Sequence, residues 1–175
     1  MKIVGFTYFG GADTPEMVLK GDSCMLVNRK PFFAPDGTND VRAVPCVVLR
    51  VSRLGKSVAE RFAERYFDAF AYGYDFVAWD LLTQAQQNGQ PWTEATCFDY
   101  SLAVGSWLEV PQMPEEMLEK ARKAVEQASR LMTIRQGDLI YIHAHAKAQP
   151  VQRDEILSGP SGAEESLYCK IKLGK

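Results

Sequence analysis

The sequence predicts an α+β domain, β-rich, with a mixed or mostly antiparallel sheet and helices at its periphery. Three observations carry this reading. Residues 45–52 (PCVVLRVS) form a continuous apolar run bounded by turn residues, the pattern of a strand buried on both faces. Residues 114–132 repeat their apolar positions at helical spacing. Strand-like and helix-like segments follow one another without the regular strand–helix–strand beat of a doubly wound parallel sheet.

Taken in order, residues 2–8 (KIVGFTY) are β-branched and aromatic and predict the first strand. Residues 10–15, with Gly10, Gly11, Asp13 and Pro15, predict a loop. Residues 23–27 predict a short strand, Asn28 to Pro31 a turn, and Phe32-Phe33 a short return strand. After the 45–52 strand, Ser57 stands three residues before Glu60, the spacing of a capping box. Phe62, Tyr66, Ala69 and Phe70 follow at helical intervals, which predicts a helix over 58–70. Residues 73–78 predict a strand, 80–88 a short helix stopped at Asn88-Gly89, and 101–109 another strand. In 114–132, Pro114 suits the first helical position and Glu115 and Glu116 suit the first turn. Leu118, Ala121, Val125, Ala128 and Met132 make one apolar face, and Glu116–Lys120, Glu119–Lys123 and Glu126–Arg130 are supportive pairs. LIYIH (139–143) and SLYCKIKL (166–173) predict the closing strands.

The chain has 175 residues, enough for a single domain over 1–175 with one core: an N-terminal strand and hairpin region over 1–40 and the core over 41–175. With 46% apolar and 24% charged residues and a net charge of -2, no field gathers nucleic acid or an anionic membrane. No run approaches a membrane span. Cys24, Cys46, Cys97 and Cys169 form no CxxC pair, and two histidines complete no zinc set. Scattered thiols and no secretory leader point to a reducing cytoplasm.

Four segments resemble the fumarylacetoacetate hydrolase superfamily, and more narrowly its 2-hydroxyhepta-2,4-diene-1,7-dioate isomerase-like branch. VLKGDSCMLVNRKPFFAPD (18–36) is similar to the stretch that leaves the active-site lid and enters the core sheet. VVLRVSRLGKSVAERFAERYFDAFAYGYDFVAWDLL (47–82) is the most specific match, and QPWTEATCFDYSLAVGSWL (90–108) resembles the family's Trp…Lys…Phe-Asp…Gly stretch. A weaker likeness covers IRQGDLIYIHAHAKAQPVQRDEIL (134–157). The resemblance implies the family's sheet roll and a homodimer. It also implies chemistry on oxo-enol or 1,3-diketo acids: hydrolysis, decarboxylation or isomerisation. A magnesium, manganese or calcium ion stabilises the enolate there, because a hard cation acts as Lewis acid and is itself held by carboxylates.

Most residues that the family uses for this are replaced. The Glu-x-Glu that offers two carboxylates reads Val44-Pro45-Cys46. Cys46 is then a buried thiol or a soft-metal ligand without companions. Asp75 matches the third metal-binding carboxylate. It is a weak lone ligand, an Asp that caps the helix near 80, or the partner of a base. The family's charge-stabilising lysine becomes Thr96, while Asp99 is retained and fixes a turn. The loop after the first strand lacks the catalytic histidine and keeps Glu16. The Gly-Thr-Pro substrate loop becomes His143-Ala144-His145, two imidazoles on one strand face or ordinary polar edge residues. The substrate-contacting hairpin of relatives gives way to the charged helix 114–132.

The expectation is a member that keeps the scaffold, has lost the metal-dependent reaction and needs no cofactor. The alternatives are an active hydrolase or isomerase with a site rebuilt around Asp75, Asp99 and His143 or His145, and a dimeric interaction module. A small carboxylic acid is the ligand class the resemblance allows.

Overall fold

The computed structural model describes residues 1–9, 14–144, 148–159 and 166–173. Twelve strands are present among them: β1 Ile3–Thr7, β2 Glu16–Lys20, β3 Met25–Val27, β4 Phe32–Phe33, β5 Val41–Val51, β6 Phe67–Ala78, β7 Leu102–Val104, β8 Leu108–Glu109, β9 Leu139–His143, β10 Gln149–Pro150, β11 Ile156–Ser158 and β12 Tyr168–Lys172. Helices α1 (Trp79–Asn88), α2 (Thr93–Thr96) and α3 (Glu115–Leu131) lie between them.

The main sheet runs β2-β1-β9-β5-β6-β7-β3, with β10 added to β5 and β8 to β6. It is mixed: β1 is parallel to β9 and β3 to β7, and the other pairs are antiparallel. A second sheet runs β11-β12-β4. The long β5–β6 ladder is the spine, and β9 joins it at Cys46↔His143.

Strand alternation divides the core in two. One face of β1, β5, β6 and β9 presents Val4, Phe6, Val47, Leu49, Phe70 and Ile142 to Ala121, Ala124, Val125 and Ala128 of α3. The residues between them on the same strands point to the inside of the curled sheet. That inner face is apolar at Ile3, Val48, Ala71 and Leu139 and polar at Asp75 and His143. β2, at the far end of the sheet from β6, returns over this interior: the Lys20 side chain meets Asp75 of β6.

The expectation over 58–70 is corrected. Residues 60–66 form a 3-10 segment and β6 begins at Phe67. Ladder pairing decided this, since Val51↔Phe67 and Arg50↔Ala69 continue the β5 register through a bulge. Ser57 is no cap either: its φ is 53°, and its N–H donates to the Ser129 carbonyl at 2.9 Å. Asp75 is therefore mid-strand and not at a strand end. The 101–109 strand is two strands, and residues 22–24 are a 3-10 turn before β3. β2 and α2 had no separate sequence signal. Helix α3 matches its expectation closely, with Pro114 as its N-cap and Glu116–Lys120 closed at 2.8 Å. Gly89 ends α1 in the left-handed region at φ 63°.

Candidate functional site

The site follows from register. Asp75 lies opposite Val44 across the β5–β6 ladder, and Cys46 lies opposite Gly73 on one side and His143 on the other. Residues two apart on a strand share a face. Asp75, Val44, Cys46, His143 and Tyr141 therefore all point into the interior. Tyr141 lies opposite Gly5 of β1, and only glycine fits there: a Cβ on Gly5 would stand 2.1 Å from the tyrosine ring.

Asp75 is wholly buried and both of its oxygens are engaged. Oδ1 is 2.8 Å from Nζ of Lys20, whose side chain is equally buried. Oδ2 is 2.8 Å from Nε2 of His143. The Lys20 ammonium also donates to the Ser101 hydroxyl at 2.8 Å and to the Thr96 carbonyl. Around Nζ, a carboxylate, a hydroxyl and a carbonyl form the polyoxygen nest that a desolvated cation requires. Burial pushes the Asp75 carboxyl up, but Lys20 and then His143 outweigh it and hold it below the ordinary carboxylate range. Burial, reinforced by the Asp75 charge, holds the Cys46 thiol and the Tyr141 phenol well above their usual values, so both stay neutral. The Tyr141 hydroxyl has no directed hydrogen bond.

The Lys20–Asp75 pair is a charge contact more than an aligned hydrogen bond, because Oδ1 is left without a directed donor although Nζ is 2.8 Å away. A cavity of about 300 Å³ between β2 and α2 is lined by Val18, Trp92 and Thr96. Another of about 280 Å³ is lined by Cys46, Gly73, Tyr74 and Leu167. Asp75, Lys20 and His143 line neither.

Of the expected site residues, the fold brings together Asp75 and His143. Asp99 is exposed in the turn 98–100 and contributes nothing to the cluster. His145 lies outside the described residues. Glu16 is not a loop residue: it opens β2 opposite Thr7, with one oxygen buried and unbonded. Thr96 does lack the ammonium a lysine would bring, but its backbone carbonyl holds that of Lys20. The positive charge has come from β2 instead. Lys20 was the residue that local sequence reading missed. Its one signal is the two-residue spacing from buried Val18, legible only once EMVLK is known to be a strand.

A divalent ion does not fit this set. Val44 and Cys46, the residues that the resemblance sets against the family's two carboxylates, share the face of Asp75 and offer no carboxylate, and the carboxylate that is present meets an ammonium 2.8 Å away. Among the described residues, no three of His, Cys, Asp and Glu converge to hold an ion.

Comparison with known proteins agrees with the fold and the resemblance. No family model matches the chain. Fumarylpyruvate hydrolase from Pseudomonas aeruginosa, solved with Mn2+ and pyruvate, superposes with TM-score 0.84 at 19% identity, over 99% of this chain and 89% of that one. The 2-hydroxyhepta-2,4-diene-1,7-dioate isomerase from Mycobacterium marinum gives 0.77 at 22% identity, over 98% and 73%. The fold is that of the fumarylacetoacetate hydrolase superfamily. In sequence, the mitochondrial oxaloacetate tautomerase FAHD1 of Bos taurus is 22% identical over 91% of this chain and 80% of its own length. The Caenorhabditis elegans counterpart is 25% identical over 57% of this chain, and that match spans 47% of the relative. The solved structures share the fold, and the proteins this chain is similar to are named as hydrolases, isomerases and tautomerases.

Proposed function

We propose that this chain is a superfamily scaffold that has exchanged the divalent-ion centre for an internal ion pair and has given up the metal-dependent reaction. The observation that carries this is the buried Lys20–Asp75–His143 cluster, in which the carboxylate meets the ammonium on one oxygen and the imidazole on the other. A hard dication surrenders its water only to several anionic oxygens held in place. Here a single carboxylate remains, and binding an ion beside it means expelling or neutralising Lys20. The cation that would greet a small carboxylic acid is likewise already paired. The homodimer implied by the resemblance remains part of this reading, with cytoplasmic residence on the grounds of cysteine usage.

One observation favours a second reading. Asp75 and His143 meet at 2.8 Å beside a buried tyrosine, an arrangement able to orient an imidazole for proton transfer. Tautomerisation, the activity named for the bovine and nematode relatives, needs only proton transfer. Against it stands access, since all three side chains are sealed from solvent.

Calorimetric titration with Mn2+, together with assays of oxaloacetate enol–keto conversion and fumarylpyruvate hydrolysis, separates the readings. The expected result is no specific Mn2+ binding and no turnover in either assay. Sub-micromolar Mn2+ binding that Asp75→Ala abolishes overturns the proposal. Metal-independent tautomerisation lost in His143→Gln establishes the second reading in its place.

A further inference from the structure

The Cys24 and Cys97 sulfur atoms lie 3.7 Å apart although the residues are 73 positions apart in the chain. Neither is disulfide-bonded. Cys24 ends the 3-10 turn 22–24 that follows β2, and Cys97 follows directly on α2. Those two segments also supply the Lys20 cluster: β2 carries Lys20, and Thr96 and Ser101 provide its acceptors. A backbone hydrogen bond from Tyr100 N to Ser23 O already ties the two segments together. Cys24 is buried, whereas Cys97 is partly exposed, so Cys97 is the residue of the pair nearer to solvent.

We infer that Cys24 and Cys97 are an oxidisable dithiol that closes into an intramolecular disulfide and staples β2 to the α2–β7 connection over the ion-pair cluster. Closure asks the sulfurs to approach from 3.7 Å to about 2.05 Å, a movement within reach of side-chain rotation when the backbones are already linked. The oxidant class is a peroxide. It oxidises the Cys97 thiolate to a sulfenic acid, and one peroxide oxygen leaves as water. The Cys24 thiolate then attacks that sulfur, forming the S–S bond and expelling the second oxygen as water. Two electrons and two protons leave the thiols, and one peroxide becomes two waters. Cys46 and Cys169 take no part. Cys46 faces His143 and Gly73 across the β5 ladders, and Cys169 sits in a separate apolar cluster with Phe32 and Leu167. The inference is independent of whether the protein is catalytic.

The test treats the full chain with a small excess of hydrogen peroxide, followed by intact mass, peptide mapping without reductant, thermal melting and hydrogen exchange. The expected product is a single covalent chain lighter by two hydrogens, with a Cys24–Cys97 cross-linked peptide. Two of the four thiols resist maleimide when the treated chain is labelled after denaturation, whereas all four label in the untreated chain. The melting temperature rises by several degrees, as loop constraint predicts, β2 amides exchange more slowly, and dithiothreitol reverses both. Cys97→Ser abolishes the cross-link. Cys24→Ser leaves a sulfenic acid on Cys97 that a cyclic diketone traps. If Cys24→Ser does not fold, wild type and Cys97→Ser decide the matter alone. Four labelled thiols after treatment, a cross-link between two chains, or a bond to Cys46 overturns the inference. A Cys24–Cys97 bond with neither higher melting nor slower β2 exchange overturns the staple.

Discussion

Lys20→Met is the substitution that isolates the energetics of the cluster. Methionine keeps most of the lysine's length and apolar stem and removes the charge. It leaves the Asp75 carboxylate, wholly buried, facing His143 alone. Removing one partner of a buried ion pair costs about 3–5 kcal/mol, because the other charge stays desolvated and uncompensated. For a chain of this size each kcal/mol moves the melting temperature by roughly 2–4 °C, so the expected loss is on the order of 10 °C. The compensating variant is Lys20→Met with Asp75→Leu, which removes both charges and recovers most of that loss.

The acid limb gives an independent reading of the same cluster. In the wild type Asp75 titrates below its unfolded value of about 3.9, so its stabilising contribution is present above that pH and fades as pH falls through the folded value. In Lys20→Met the largest lowering influence is gone and burial remains, so the expected outcome is a carboxyl that titrates above its unfolded value. Its contribution is then present at low pH and fades as pH rises through the folded value. Urea denaturation followed by fluorescence at a series of pH values measures both effects. A variant as stable as wild type at neutral pH, or one whose acid limb keeps the wild-type slope, refutes the account of Lys20 as the cation that holds Asp75 ionised.

Titration with Mn2+ is expected to show no Asp75-dependent binding, as set out above. Gly5→Ala drives a Cβ into the Tyr141 ring at 2.1 Å and should cost about 1–3 kcal/mol or more in urea unfolding, and a neutral result would mean the ring is free to move. Asp99→Ala changes an exposed turn residue, and stability within about 0.5 kcal/mol of wild type is expected by the same measurement. Light scattering at micromolar concentration should give twice the chain mass, and a monomer counts against the dimer.

The sequence by itself determined what local physics could dictate. The apolar run of β5, the heptad-like face of α3 and the Gly89 stop of α1 each depend on neighbours a few residues away, and each appears as expected. The absence of the Glu-x-Glu pair, the lysine at 96 and the loop histidine is likewise a fact of sequence once Val44, Cys46 and Thr96 are set against the family pattern. Tertiary structure decided the rest, because the deciding interactions are long-range. Residues 67–70 became strand because β5 offered them a ladder, against a spacing that also suits a helix. Lys20 lies 55 positions before Asp75, and no local signal pairs them; the sheet's curl brings β2 over β6 and makes that contact. His143 reached Asp75 through β9 joining β5, while Asp99, equally acidic in the sequence, was left at the surface. What pointed inward was set by strand alternation, and what met there was set by the closure of the roll.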